Sequence, residues 1–373
     1  MGNIARVNMD LSRIEYIPDS ETVNPSHRLR YGDVLFNTRN TLDLVGKVSI
    51  WRDELPIAYY NSNILKLEFK PEYCGDSRYF GYALNSAESV ESIRNLATGT
   101  TSVAAVYTRD LLKLEIPVPS KSEQRAIADT LEDAERLISS LRLLIAKKQA
   151  IKRGMLQEIL ARKTALKGSL SSGRDAPLGE VTTWLSGGTP NRNNPAYWGG
   201  TIPWISAATL RHSRVHDSDQ HLTVAGVRAG SKLAPAGATL VLVRGMALHR
   251  ETRIGMATRP VSFNQDVKAL IPKPGVLPEY LVYALQARSA RVLDLVSSAG
   301  SGTGVLDTQL LQRLPVWVPN ETNQRRIVAV INAVDRNVEA LDRLLFKMQA
   351  IRQGFMQQLL TGRTRLPVKE SAT

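Results

Sequence analysis

A near-duplicate segment is the feature that most constrains how this chain can fold. Residues 149–160 read QAIKRGMLQEIL and residues 349–360 read QAIRQGFMQQLL, so the two copies lie 200 residues apart. At that fixed offset, 15 of the 43 positions in residues 124–166 are identical to their counterparts in residues 324–366. Internal repetition on this scale indicates that one structural unit occurs twice. We therefore expect a chain built from two similar halves.

Both copies have the apolar spacing of long helices that pair with each other. The steps between apolar residues alternate between four and three, which is the heptad rhythm of a coiled coil. We expect the seam to be formed by Ile127, Leu131, Ile138, Leu141 and Ile145 in the first helix and by Ile327, Ile331, Val338, Leu341 and Leu345 in the second. Ser120 and Glu123 predict a capping box at the start of the first helix. The core of an ordinary helical bundle would show the same pattern of apolar residues. Because whole globular segments separate the two copies, we favour two long helices that pair antiparallel and act as a spacer between the domains.

Shorter segments around the helices are also repeated. RYGDVLFNTR at residues 30–39 parallels PAGATLVLVR at residues 235–244, and each predicts a strand between a glycine turn and an arginine. The predicted fold class is α+β: two mixed α/β domains alternate with two long helices that form an antiparallel coiled coil with pseudo-twofold repetition. The predicted bounds are 1–118 and 177–319 for the domains, 119–166 and 320–366 for the helices, 167–176 for a Gly/Ser linker and 367–373 for a tail.

The two predicted domains differ at their starts. The second opens with PLGEVTTWLSGGTPNRNNPAYWGGTIPW, and the first has no counterpart to it. We interpret MGNIARVNMD as the strand that matches WISAATL at residues 204–210. We therefore expect the first domain to lack its N-terminal segment, and normal function of that domain is left open.

Composition and charge narrow the class of partner. The single cysteine, Cys74, excludes an internal disulfide framework and a cysteine-based zinc site. No apolar run reaches the length of a membrane span and no signal peptide opens the chain, so we expect a cytoplasmic protein without a membrane partner. The net charge of +13 favours a polyanionic partner. That charge is uneven: residues 1–118 hold 13 Lys/Arg against 15 Asp/Glu, and residues 176–275 hold 11 against 5.

The chain resembles the specificity (S) subunit of type I restriction–modification systems, the HsdS family. The resemblance covers nearly the whole chain and rests on residues 123–127 (EQRAI), the QAIKRG and QAIRQG segments, and GGTPNRNNPAYWGGTIPW at residues 187–204. It implies two target recognition domains that each read one half of a split double-stranded DNA target. It also implies that the helices set the gap between the half-sites and dock two methyltransferase subunits. A restriction motor and nuclease subunit would join them.

The same resemblance implies that the chain performs no chemistry and binds no cofactor or metal itself. S-adenosylmethionine, ATP and Mg²⁺ are expected on the partner subunits. Two alternatives are kept. One is a truncated or decoy specificity subunit that binds methyltransferase but reads one half-site or none. The other is a self-contained nuclease or methyltransferase, for which the signature motifs are absent from the sequence.

Candidate DNA contacts are cations and amides, since Arg reads guanine and Asn or Gln reads adenine, while both also bind phosphate. In the second domain they are Thr189, Asn191, Arg192, Asn193, Tyr197, Arg211, Arg244, His249, Arg250 and Arg253. In the first domain they are Asn37, Arg39, Asn40 and Lys47. Each of these residues could equally be an ordinary solvent-exposed side chain that makes no contact with DNA. Two weaker motifs remain: His212, His216 and His221 as a metal site, and GSGTG at residues 300–304 as a phosphate-binding turn.

Overall fold

The computed structural model describes residues 2–18, 20–99, 103–160, 173–298, 300 and 302–367. The chain divides into two compact units: residues 1–143 with 341–373, and residues 144–340. Each unit contains one globular domain, part of the first long helix and part of the second. No helix among the described residues is long and apolar enough to cross a membrane.

The first unit is built around short strands and helices. Its strands are β1 (Val34–Asn37), β2 (Arg39–Asn40), β3 (Val48–Ile50), β4 (Ile64–Leu67), β5 (Thr98–Gly99) and β6 (Ala104–Ala105). Its short helices are α1 (Ser77–Ala83), α2 (Ala87–Leu96) and α3 (Thr108–Leu111), and the first long helix is α4 (Lys121–Leu160). The main sheet has the order β3-β1-β4 and is antiparallel.

The second unit has more strands in the same core arrangement. Its strands are β7 (Gly173–Pro177), β8 (Thr182–Ser186), β9 (Trp198–Ile205), β10 (Arg214–Val215), β11 (His221–Leu222), β12 (Leu233–Ala234), β13 (Thr239–Leu242), β14 (Ile254–Ala257), β15 (Val261–Phe263), β16 (Val267–Pro272), β17 (Val296–Ser298), β18 (Gly304–Leu306) and β19 (Pro315–Pro319). Its helices are α5 (Leu178–Val181), α6 (Val224–Gly230), α7 (Pro278–Gln286), α8 (Ser289–Leu293), α9 (Thr308–Arg313) and α10 (Glu321–Leu359). The main sheet has the order β10-β14-β13-β16-β8, and a second sheet has the order β11-β9-β15-β12.

The repeated strands predicted from the sequence occupy matching places in the two sheets. β1 pairs with β3 and β4, and β13 pairs with β14 and β16, all antiparallel. In the second unit β8 extends this sheet beyond β16. In the described part of the first unit, β4 has no strand on its outer side.

The first residues of the chain do not form the strand that we predicted. The N–H of Ile50 donates to the carbonyl of Val7, just as the N–H of Met256 donates to the carbonyl of Ser213. Val7 is therefore the counterpart of Ser213. Ser213 lies after strand β9, so the first residues of the chain correspond to the segment that follows β9 and not to the strand itself. A strand is stable only where a neighbour accepts and donates its ladder hydrogen bonds, and at Val7 only one isolated bridge, to Ser49, is formed.

The linker prediction also differs from the structure. Residues 161–172, which include the end of the predicted helix and most of the predicted linker, lie outside the described residues. Gly173–Pro177 is strand β7, which pairs antiparallel with β19 at the other end of its domain. Residues 113–119, which match β19 in sequence position, form no strand. The pairing of β7 with β19 was not visible from composition, because Gly173–Pro177 (GRDAP) contains no β-branched, aromatic or large aliphatic residue, and Ala176 is its one buried residue.

The two long helices pack together antiparallel, as predicted from their heptads. In the first unit, Ile127 and Leu131 of α4 share a core cluster with Leu359 and Leu360 at the end of α10. In the second unit, Leu156 of α4 shares a core cluster with Ile327 and Ile331 at the start of α10. Ile138, Leu141 and Ile145 are also buried, whereas Val338, Leu341 and Leu345 are half-buried.

The repeated QAIKRG and QAIRQG segments each supply one cation to an ion pair between the two long helices. In the first unit Arg352 Nη1 lies 2.6 Å from Glu135 Oε1. In the second unit Lys152 Nζ lies 2.6 Å from Asp335 Oδ1. Both the cations and the carboxylates are 200 positions apart in the chain, so each repeat supplies the cation for the acid of the other helix. All four side chains are largely buried, which makes breaking either pair costly.

A glutamine clamp joins each domain to the start of its long helix. Gln124 Nε2 donates to the carbonyls of Tyr73 and Pro119, and its Oε1 accepts from the N–H of Gly75. Gln324 makes the same three bonds with Gly275, Pro319 and Leu277. Both glutamines are 0% exposed.

The capping box is only half formed. Ser120 Oγ accepts from the Glu123 N–H at 3.3 Å, as predicted. The Glu123 carboxylate instead lies 3.4 Å from Arg365 Nη1, near the end of the chain.

Candidate nucleic-acid interface

The loop at residues 187–198 is rigidly held although its polar side chains face solvent. A Cβ on Gly187 would lie 2.3 Å from the Phe263 carbonyl oxygen, and one on Gly188 would lie 2.2 Å from the Gly230 carbonyl oxygen, so only glycine allows this close packing. Thr189 Oγ1 donates to Gln265 Oε1 at 2.7 Å. The GGT sequence therefore fixes the start of the loop against the sheet.

Arg192 is the best-positioned cation of this loop. Its guanidinium carbon lies 5.0 Å from the ring centre of Trp198 and 5.1 Å from that of Trp204, and the two indoles meet edge to face. Such cation–π contacts stabilise the guanidinium by about 0.5–1 kcal/mol each at exposed sites. Arg192 Nη1 lies 3.5 Å from Gln220 Oε1, and because the side chain remains exposed, its other donors stay accessible.

The neighbouring asparagines have different environments. Asn191 Oδ1 accepts from the Asn193 N–H at 3.0 Å and Asn191 O accepts from Trp198 Nε1, so Asn191 shapes the turn. The side chain of Asn193 is exposed. Tyr197 is half-buried, and its carbonyl accepts from the Thr223 N–H.

A second surface combines the end of β13 with the β17–β18 hairpin. Arg244 forms an antiparallel bridge with Val305, and His249 Nε2 lies 2.8 Å from the Gly302 carbonyl. Arg244 and Arg250 are exposed. The structure therefore brings Arg244 and His249 against residues 302–305 at the end of the GSGTG segment, which the sequence analysis treated as a separate motif.

The first unit repeats this arrangement with less charge. Arg39 pairs with Ala105 of the β5–β6 hairpin, as Arg244 pairs with Val305, and it is exposed. Asn40 is half-buried, with Oδ1 accepting from the Thr41 N–H, and Lys47 is half-buried. Residues 99–102 (GTTS), which occupy the place in the first half that GSGTG occupies in the second, lie mostly outside the described residues.

Asn37 is not at this surface. It is 0% exposed, and its Oδ1 accepts from the Arg39 N–H. A side chain with no exposed area cannot reach DNA without local opening, so we remove Asn37 from the candidate contacts. Asn37 is the last residue of β1, in which all four residues are buried, whereas Arg39 is the exposed first residue of β2.

Arg211 and Arg253 lie in a different region, where they line a cleft together with residues 149–157 of α4. Arg253 Nη1 donates to the Ala207 carbonyl at 2.6 Å, and its Nε lies 2.9 Å from Glu251 Oε1. Arg211 Nε donates to the Ala208 carbonyl at 2.6 Å, while the side chain as a whole is exposed. Arg253 therefore holds two loops together, and Arg211 keeps free donors.

Of the three histidines considered as a metal site, His216 and His221 each contact another polar side chain. His216 Nδ1 lies 3.0 Å from Thr258 Oγ1, and His221 Nε2 lies 2.7 Å from Asp217 Oδ1. Throughout the described ranges, no three His, Cys, Asp or Glu side chains are grouped so that they could hold a metal ion.

Comparison with known proteins then identifies the family. The family described as "Type I restriction modification DNA specificity domain" matches residues 20–153 and 175–345. The chain belongs to this family. The two matched segments correspond to the two halves of the internal repeat, so the type I specificity-domain family is matched twice within this chain.

Individual relatives agree with this assignment. The specificity subunit of the type I restriction enzyme EcoR124I/EcoR124II from Escherichia coli is 31% identical over 160 residues, which are 42% of this chain and 40% of that subunit. The MjaIX specificity subunit from Methanocaldococcus jannaschii is 28% identical over 166 residues, which are 43% of this chain and 37% of that subunit. The matched part thus spans about two fifths of the length of these curated relatives.

Solved structures share the fold over a longer stretch. The type I restriction–modification S subunit from M. genitalium has a TM-score of 0.63 at 19% identity, with 88% of this chain and 83% of that chain covered. A chain from a structure concerning complex assembly and conformational transition of the type I R-M system has a TM-score of 0.54 at 19% identity, with 90% and 84% covered. The predicted resemblance and fold class are confirmed.

Sequence reasoning missed the residues that organise this type I specificity-domain fold. These are the clamp glutamines, Gln124 and Gln324, and the cross-helix ion pairs. The signal was present, because Gln124 with Gln324 and Glu135 with Asp335 recur at the 200-residue offset. Their partners come from loops or from the other helix and could not be named without coordinates.

Proposed function

We propose that the chain is the DNA-sequence-specificity subunit of a type I restriction–modification enzyme. It reads a bipartite double-stranded DNA target, with one half-site for each recognition domain. It performs no chemistry itself. Methyltransferase subunits bind S-adenosylmethionine. A restriction subunit, which joins the complex through the methyltransferase subunits, binds ATP and Mg²⁺.

The observation that carries this proposal is that an equivalent ion pair between the two long helices occurs once in each unit. The ion pairs Glu135–Arg352 and Lys152–Asp335 have the same length and the same 200-residue offset. One chain with two equivalent halves presents the same surface twice, which is what two identical partners require. Family membership supports the DNA target, and the exposed Arg192, Arg244 and Arg250 supply donors for it.

The partner surface lies outside the helix seam. The buried seam residues hold the helices together, so they cannot also contact another protein. Exposed apolar residues are repeated at 200-residue spacing: Leu144 is 39% exposed and Leu344 42%, and Ile151 is 43% exposed and Ile351 44%. Seven residues are nearly two helical turns, so Leu144 and Ile151 share one face of α4. We assign one methyltransferase to each pair.

Each pair can be tested separately. Leu144→Asp with Ile151→Asp should reduce the methyltransferase copies per chain from two to one, and Leu344→Asp with Ile351→Asp should do the same. Ala146→Asp is the control, because two residues turn about 200° around the helix. The copy number is measured by native mass spectrometry of the co-expressed complex. Two copies bound to either double variant would reject this surface.

Recognition of the DNA target is tested by co-expressing this chain with the methyltransferase encoded by the neighbouring gene and then mapping the methylated adenines. A split motif supports the bipartite proposal. A single half-site would show that one domain reads DNA, and assembly without methylation would favour the decoy alternative. Arg244→Ala with Arg250→Ala should weaken DNA binding of the assembled complex, and unchanged affinity would remove these two contacts.

A further inference from the structure

A cleft of about 670 Å³ lies within the second unit, away from the loop that carries Arg192. Its walls are residues 149–157 of α4, residues 210–213 and 251–254 of the recognition domain, and residues 286–290 around the end of α7. A space of this size accommodates a ligand of nucleotide size, since pockets for small molecules measure about 300–1,000 Å³. The spacer helix therefore forms one wall of a site whose other walls belong to the domain.

The cleft contains cations that the protein does not neutralise. Arg153 and Arg211 are exposed, and among the described residues neither is ion-paired with a carboxylate. Glu251 is the one acidic residue of the lining, and it is paired with Arg253. Lys152 is paired with Asp335. Two guanidinium groups thus remain available to an anion.

The adjoining part of α4 extends this positive charge. Residues 144–157 contain four Lys or Arg and no Asp or Glu. Lys148 lies one helical turn before Lys152 on the same face of α4, whereas Lys147 lies about 120° around the helix from Arg153. Positive charge that extends along the helix beyond the cleft matches an extended polyanion better than a single small anion.

The first unit lacks the two unpaired arginines at the matching positions. Gln353 stands where the 200-residue offset places Arg153. Because Val7 takes the place of Ser213, Ala5 falls at the position of Arg211, and Arg6 falls at that of His212. The cation that forms the ion pair between the two long helices is present in both halves, as Lys152 and Arg352. Helix pairing therefore does not explain Arg153 and Arg211.

We propose that this cleft binds the phosphodiester backbone of DNA, with Arg153 and Arg211 each contacting a phosphate. The proposal rests on the proposed function, and it adds the spacer helix to the DNA-binding surface. These contacts position the duplex without reading bases, because phosphates carry no direct sequence information. Arginine suits the role because its planar fork can donate two hydrogen bonds to one phosphate.

The test compares salt dependence in the complex of the full chain with its methyltransferase. Arg153→Gln with Arg211→Gln should weaken binding to target and unrelated DNA by the same factor. The slope of log K against log salt should become less steep by about 2, since each lost phosphate contact contributes about 0.9. Arg153→Lys with Arg211→Lys keeps both charges and should keep the wild-type slope.

The matched control removes two exposed cations elsewhere, Arg109→Gln with Lys113→Gln, and should leave the slope unchanged. A wild-type slope in the Arg153→Gln, Arg211→Gln variant would overturn the inference, while specific DNA binding by the wild type would still support the proposed function. Unchanged DNA binding with loss of inorganic pyrophosphate binding would also overturn it, by assigning the cleft to a small anion. Failure of the wild-type complex to bind any DNA would instead overturn the proposed function.

Discussion

Replacing Gln124 tests whether the clamp joins the first domain to its long helix. The side chain is completely buried, with Nε2 at 2.8 Å from the Tyr73 carbonyl and 2.9 Å from the Pro119 carbonyl. Its Oε1 lies 2.8 Å from the Gly75 nitrogen. Gln124→Leu preserves the approximate volume and removes all three bonds. At about 1 kcal/mol for each net hydrogen bond, we expect a loss of about 3 kcal/mol in the free energy of unfolding.

Gln124→Glu makes the prediction more specific. It keeps an acceptor for Gly75 but turns the donor toward Tyr73 and Pro119 into an acceptor, so a carboxylate faces two carbonyl oxygens. Burial of an unpaired charge costs more than loss of a neutral hydrogen bond, so Glu should destabilise more than Leu at neutral pH. Ser140→Ala, at an exposed position of the same helix, should stay within about 0.5 kcal/mol of the wild type.

Urea unfolding followed by circular dichroism and hydrogen exchange provides the measurement. Exchange at Gly75 and around α1 should increase in Gln124→Leu, while the matching segment near Leu277 should be unchanged. Gln324→Leu should give the reverse pattern. A change below about 0.5 kcal/mol in Gln124→Leu, or equal stability of the Leu and Glu variants, would refute the clamp.

Three further predictions follow from the contacts described above. Arg352→Glu should destabilise the first unit by placing a second carboxylate beside Glu135, and adding Glu135→Arg should recover about 1–3 kcal/mol, as measured by a urea double-mutant cycle; no recovery would mean that the pair is not coupled. Arg192→Lys keeps the charge but loses the flat contact with the indoles, so DNA affinity measured by fluorescence anisotropy should fall about two- to fivefold, and wild-type affinity would show that stacking is irrelevant. Burial raises the pKa of Tyr82 to about 12. Below about pH 10 the hydroxyl is protonated in both the folded and the unfolded protein. Between about pH 10 and 12 it ionises only in the unfolded protein, so the free energy of unfolding falls as the pH rises. Tyr82→Phe should therefore lose less stability between about pH 10 and 12 than the wild type, and equal pH profiles would contradict that shift.

The amino-acid sequence by itself determined the helix pair. Heptad spacing depends only on which residues are apolar and how far apart they are, so α4, α10 and their buried positions such as Ile127 and Ile327 were predictable. The parallel between residues 30–39 and residues 235–244 also indicated that Arg39 and Arg244 are counterparts, and both lie beside a hairpin strand. Local pattern was sufficient because these features depend on local periodicity or on direct repetition.

Only the tertiary structure decided which groups meet across long sequence separations. Asn37 and Arg39 are two residues apart, yet the first is buried and the second exposed, because sheet pairing and packing fix which side is covered. Strand β7 exists because β19, 138 residues later, supplies its hydrogen-bond partners. Arg153 and Arg211 line one cleft although they belong to a helix and a distant loop. Hydrogen bonding, burial and charge pairing act through space, so they depend on the folded arrangement rather than on sequence spacing.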